Sequence, residues 1–363
     1  MFRRSAAVLA ALLLSVPASA QTPESLPAAP PDLSLRLPAG RAARFELRVL
    51  VGRSRRTGFG ESLNNVDWRQ DVEVTAEAPP TGVTSRLAFA FGRGRLAMLH
   101  PILGFAEFDS ASPPAPADLN PILLLAAGYY AGYTGRTLRM DLDRTGRIVD
   151  VDGEEAIQEG FAQLASLGEP FARFKPQFEI NGKLFFSAKH IRRFLQPLVP
   201  QTPEAPVGIG VEWRARNDAY LPTGSNDARE WPWLVALESA DRETARLRFS
   251  GERIQRSPYV FGDKDAARRA PDPSAKGQTV KLTASGEGVI DLADGLWRTA
   301  KLELLHEDDK PAPTPDPGPS KDDQLATDRI TYEIRRVDVF EPPPAPKEAP
   351  DSASRPASRE AGG

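Results

Sequence analysis

The run RTLRMDLDRTGRIVDVDG, residues 136–153, sets the reading of this chain. Leu138, Met140 and Leu142 alternate with Arg139, Asp141 and Asp143. That is the period of a strand with one apolar face. Asp143-Arg144-Thr145-Gly146 supplies turn chemistry, with a glycine free to take positive φ. Ile148, Val149 and Val151 then resume an apolar, β-branched run. The unit predicts a β-hairpin. Its outline returns at DLADGLW, residues 291–297, where Asp-Leu, a polar turn and Gly again precede an apolar strand. Two such hairpins predict a chain of two related halves.

Upstream, Phe45, Leu47, Val49 and Val51 alternate with Glu46 and Arg48 in a first strand. Residues 53–58, RSRRTG, are expected to break it as a solvated loop. Val66, Trp68, Val72 and Val74 line one face of a second strand. Leu87, Phe89 and Phe91 line a third, and Gly92-Arg93-Gly94 is expected to turn into a short fourth at 96–99. Together these predict an antiparallel meander with one wet face.

Three helices are expected next. Residues 119–133 are apolar almost all round, which calls for cover on more than one side. Residues 154–166 carry Ile157, Phe161 and Leu164 at helical spacing behind Glu154 and Glu155. Leu184, Ala188, Ile191, Leu195 and Leu198 form one face of a third. Strands resume after 206, at 209–214, 231–237, 245–249, 280–284, 302–304 and 330–335. The order strands, helices, strands predicts an α+β fold. About a dozen strands would form one large antiparallel sheet, curved because flat open sheets rarely exceed about 10 strands, with the helices gathered on its concave side.

The chain has 363 residues, 40% hydrophobic and 26% charged, ordinary values for a globular protein. Its net charge of −3, with no long basic run, argues against a nucleic-acid partner. With no cysteine it forms no disulfide, thiolate metal site, thiol nucleophile or lipidated N-terminal cysteine. Arg3 and Arg4, an apolar run at 6–14 and Ala18-Ser19-Ala20 form a secretory signal peptide, residues 1–20. The apolar run falls short of the roughly 20 residues of a membrane span. The expected order is then a Pro/Ala-rich leader at 21–40, an N-terminal half at 41–205 and a β-rich C-terminal half at 206–340. A mobile insert at 306–323 interrupts the second half, and a disordered tail occupies 341–363. The mature chain is expected in the periplasm or outside the cell, with no transmembrane helix.

The signal peptide, the paired Asp-Leu…Gly hairpins, GRIVDVDG at 146–153 before an acidic helix and PVGIGVEW at 206–213 together resemble a group of exported, β-rich bacterial proteins of unknown function. At the level of fold, a curved sheet with helices in its concavity is similar to the periplasmic lipoprotein carriers of the LolA and LppX type. That resemblance implies a protein cradling an apolar, lipid-like ligand.

Candidate site residues follow from this. An apolar groove beneath 119–133 would be lined by Leu123, Leu124, Ile191 and Phe194. The alternative is a structural or protein-interaction module whose partner is another envelope protein. A second alternative lies in the opening hairpin: Asp141, Asp143, Thr145 and Asp152 match ligand positions of a calcium loop, with Gly146 at its turn. The strand-like alternation before Asp141 and the neighbouring Arg144 and Arg147 favour acids that face water. Ser187, Lys189 and His190 lie close, but Ser187 suits a helix cap and the other two a solvated or half-solvated face. No nucleophile elbow or His-Glu-x-x-His is present. Trp68, Trp213, Trp231 and Trp233 suit a core, with sugar stacking as the alternative use. No cofactor is expected, and a catalytic role is the least favoured reading.

Overall fold

The computed structural model describes residues 30–57, 60–100, 104–112, 128, 132–163, 172, 174–217, 231–256, 279–308 and 325–340. Among them twelve strands form one antiparallel sheet. β1 (Ala42–Thr57), β2 (Gly60–Glu77), β3 (Ser85–His100), β4 (Gly104–Asp109), β5 (Thr137–Leu142) and β6 (Ile148–Asp152) come first. β7 (Glu212–Asn217), β8 (Trp231–Ala240), β9 (Thr244–Arg256), β10 (Thr279–Asp291), β11 (Trp297–Asp308) and β12 (Leu325–Val337) follow the helices. The order across the sheet is β6-β5-β3-β2-β1-β12-β11-β10-β9-β8-β7, with β4 also on β3. The first and last strands therefore meet at the centre, and each half of the chain builds outward from that pair.

Alternation is what makes this one sheet with two unlike faces. A single row of paired residues runs Leu96–Trp68–Val49–Tyr332–Leu302–Gly286–Phe249–Val235–Trp213 across nine strands. All of its large side chains are buried except Trp213, which is half-buried. The next row, one residue along each strand, points the other way and is charged. There Arg48 reaches Asp67 at 2.8 Å and Glu333 at 3.2 Å, and Lys301 reaches Glu333 at 3.4 Å. Arg248 meets Glu238 at 2.9 Å. Side chains this exposed contribute little stability pair by pair. They do keep the outer face wet and the register single.

Among the described residues three helices cover the inner face: α1 (Glu154–Gln163), α2 (Lys175–Phe185) and α3 (Ala188–Leu195), the last running into a 3-10 turn, Gln196–Leu198. α1 starts behind Gly153 and buries Ile157 and Phe161, four apart on one face. α2 opens with Pro176 in its first turn and sets Phe178 against Phe161, ring centroids 5.3 Å apart. The sheet curves around them and is not closed by strand pairing.

Several expectations are corrected here. Gly92-Arg93-Gly94 is no turn: β3 runs through it with a bulge opposite Gln70. The bulge lets β5 pair with the first half of β3 and β4 with the second, so β3 forks the sheet. Residues 53–57 continue β1, because Arg53 finds Asp328 at 2.7 Å across the sheet. The helix expected from Leu184 to Leu198 is two helices parted at Phe186 and Ser187. His306, expected at the start of an insert, sits buried inside β11, which runs to Asp308. Most of the helix expected at 119–133 and most of the 306–323 insert lie outside the described residues.

Candidate functional site

The spacing of Ile191, Phe194, Leu195 and Leu198 gives α3 one apolar face, which the sheet buries. Ile191 and Phe194 are both 0% exposed. Phe194 stacks on Trp68 and Tyr133 at 5.5 and 5.9 Å and meets Tyr332 at 6.1 Å. Phe186 closes on Tyr133 at 5.6 Å and on Phe161 at 5.4 Å. Two of the four expected groove residues thus come together on the inner face, where the protein's own rings occupy the space around them. Leu123 and Leu124 lie outside the described residues.

Ser187 takes the cap position of α3, at φ −67° and ψ 146°, but its hydroxyl makes no capping bond. It lies 2.7 Å from Nδ1 of His190, one turn on. His190 is buried, so the solvated face expected for it is corrected, whereas Lys189 is exposed.

The hairpin acids diverge. Asp141 is buried and takes two bonds from Arg86, at 2.6 and 2.9 Å. That bond is the main reason the Arg86 guanidinium is held above its usual range. Asp143 Oδ1 accepts from Thr145 N, Thr145 Oγ1 and Arg147 N at 2.8, 2.7 and 3.1 Å, fixing the turn. Asp152 is exposed opposite Arg139. Among the described residues no three His, Asp or Glu converge as metal ligands do. Asp141 is not the water-facing acid the alternation implied. Asp141→Ala is expected to cost about 1–3 kcal/mol, because it strands a half-buried guanidinium. Asp152→Ala should stay within about 0.5 kcal/mol. Urea unfolding of both variants checks the contrast.

The same hairpin turn anchors a strap that bridges the two sheet edges. Gln196 accepts from Ile148 N at 2.9 Å and donates to Gly146 O at 3.1 Å. Arg192 donates to Val149 O at 3.2 Å, so α3 covers the β6 edge. Trp297 donates to Pro197 O at 3.0 Å. Thr202 N donates to Thr145 O at 2.9 Å, and Trp213 Nε1 on β7 donates to Gln201 O at 3.2 Å. Residues 196–202 therefore join β6 to β7 where strand pairing does not.

Between turn, strap and β7 lies a cavity of about 410 Å³ lined by Asp143, Thr145, Arg147, Gln201, Thr202, Pro203, Glu204, Trp213, Arg214 and Ala215. Its floor, Gln201 and Thr202, is buried at 7% and 5% exposure, and its rim, Glu204 and Arg214, is exposed. Sequence reasoning named Asp143 and Thr145 for another role and gave Trp213 to the core, with sugar stacking only as the alternative. It missed Arg147, Gln201 and Thr202, which only the docking of the strap brings there.

No family model and no curated protein matches the chain. Among solved structures it is similar to DynF from the dynemicin biosynthesis pathway of Micromonospora chersina, at 8% identity over 86% of this chain and 89% of that one, with a TM-score of 0.16. A likeness this slight bears on neither fold nor function.

Proposed function

We propose that the chain is an exported, non-catalytic envelope protein that engages its partner at its surface and does not carry a lipid inside its sheet. One observation supports this above the others. Ile191 and Phe194, two of the residues the carrier reading put in its groove, are both 0% exposed, and Phe194 packs against the rings of Trp68, Tyr133 and Tyr332. A cradle for acyl chains needs unfilled apolar volume, and here aromatic side chains supply the contacts a ligand would make. The resemblance to exported β-rich bacterial proteins belongs to this reading, as does cleavage before Gln21. The non-catalytic part rests on Ser187 and His190, whose bond is local to the first turn of α3.

The test is titration of the mature chain with a fluorescent fatty acid. No saturable binding is expected. One-to-one binding that is displaced by unlabelled fatty acid would overturn the reading in favour of the lipid carrier.

A further inference from the structure

We propose that the cavity between the 143–147 turn, the strap and β7 binds a neutral saccharide. The proposal rests on the surface-binding reading and names its site and ligand class. The cavity's polar groups are the starting point. Gln201 and Thr202 are more than nine-tenths buried, yet neither side chain has a hydrogen-bond partner among the described residues. Their polar atoms are not among those sealed from solvent, so they open on the cavity they line. Buried amides and hydroxyls without partners are costly, and native structures satisfy them with protein, water or ligand. Asp143 Oδ1 is saturated by the turn, whereas its Oδ2 has no donor among the described residues. The half-buried guanidinium of Arg147 makes no ion pair or side-chain hydrogen bond among the described residues.

These groups select a ligand class. Asp143 and Glu204 offset Arg147 and Arg214, so the lining carries no net charge to favour an anion or a cation. The lining mixes acceptors, donors and groups that do both. Sugar hydroxyls, each both donor and acceptor, match such a mixture. Trp213 adds an apolar ring face, and its N–H is already committed to Gln201 O, which fixes the ring's orientation. The volume of about 410 Å³ lies within the range of small-molecule sites and suits one or two sugar rings. Two carboxylates sharing the lining with two arginines do not make a cation site, and no metal-ligating group of three is found among the described residues.

The experiment uses the mature chain and a panel of free monosaccharides and disaccharides, neutral, amino and N-acetylated, with free amino acids alongside. Saturation-transfer NMR identifies binders and calorimetry gives their affinity. One sugar or a related set is expected to bind one-to-one. Arg147→Ala and Gln201→Met should each weaken it on the order of tenfold or more, with unchanged melting temperatures. Arg147→Ala removes no ion pair or side-chain hydrogen bond among the described residues, so it keeps the test decisive if Gln201→Met folds poorly. The proposal is overturned if the cavity holds only water and no sugar binds, if binding survives Arg147→Ala, or if amino acids bind in place of sugars. None of these outcomes depends on the fatty-acid titration, so the site can fail while the surface-binding reading stands.

Discussion

Phe194→Ala is expected to destabilise the mature chain by about 3–5 kcal/mol. The ring is 0% exposed and touches Trp68, Tyr133 and Tyr332, which come from β2, the segment before β5 and β12. Its loss would leave a cavity that three large rings cannot readily collapse into, because each is held by its own backbone. The offset and stacked geometry adds to the area term. Lys189→Ala, on the exposed side of the same helix, should stay within about 0.5 kcal/mol. Urea unfolding measures both. A cost near that of Lys189→Ala would mean that Phe194 borders open space, as a carrier's groove residue does.

Gly146→Ala is expected to cost about 2–4 kcal/mol, more than its small size suggests. Gly146 has φ +80°, which an L-residue adopts only under strain. A methyl group there would also fall on the carbonyl oxygen of Pro200, inside its contact distance, and near Val199. The strap would have to lift, and with it would go the bond from Thr202 N to Thr145 O. Gly82→Ala separates the two effects. Its φ is +87°, but an added methyl meets nothing within 4 Å. It should show the conformational cost of about 1–2 kcal/mol alone. Thermal and urea unfolding of the pair therefore read the packing of strap against turn. Equal costs would show that the strap does not hold the two edges together.

How far this was legible depends on the range of the interaction. β1 and β2 could be read from their alternation because one face is apolar and the other charged. The α+β class and the sheet of about a dozen antiparallel strands followed from the order of such segments. Glycine and charge misled wherever a distant strand supplied the missing partner. Gly92-Arg93-Gly94 reads as a turn, but Gln70 donates to Gly92 O at 2.9 Å and keeps the strand whole around its bulge. Arg53 reads as loop until Asp328 is placed opposite it. α2 carries Pro176, Asn181 and Gly182, poor local signals that its packing on α1 overrides. The hairpin acids were visible and their partner was not, since Arg86 lies 55 residues before Asp141. The seam cavity had the weakest signal. Gln201 and Thr202 look like linker residues, and their burial is fixed by bonds to Trp213 and Thr145 that no periodicity announces.

Native mass spectrometry of the protein, purified without detergent from the cells that make it, tests the filled interior most directly. A mass equal to the polypeptide beginning at Gln21, with no lipid recovered by organic extraction of the same sample, is predicted. A stoichiometric lipid in that extract, with a matching mass increment on the intact protein, would contradict it and make the inner face a ligand site.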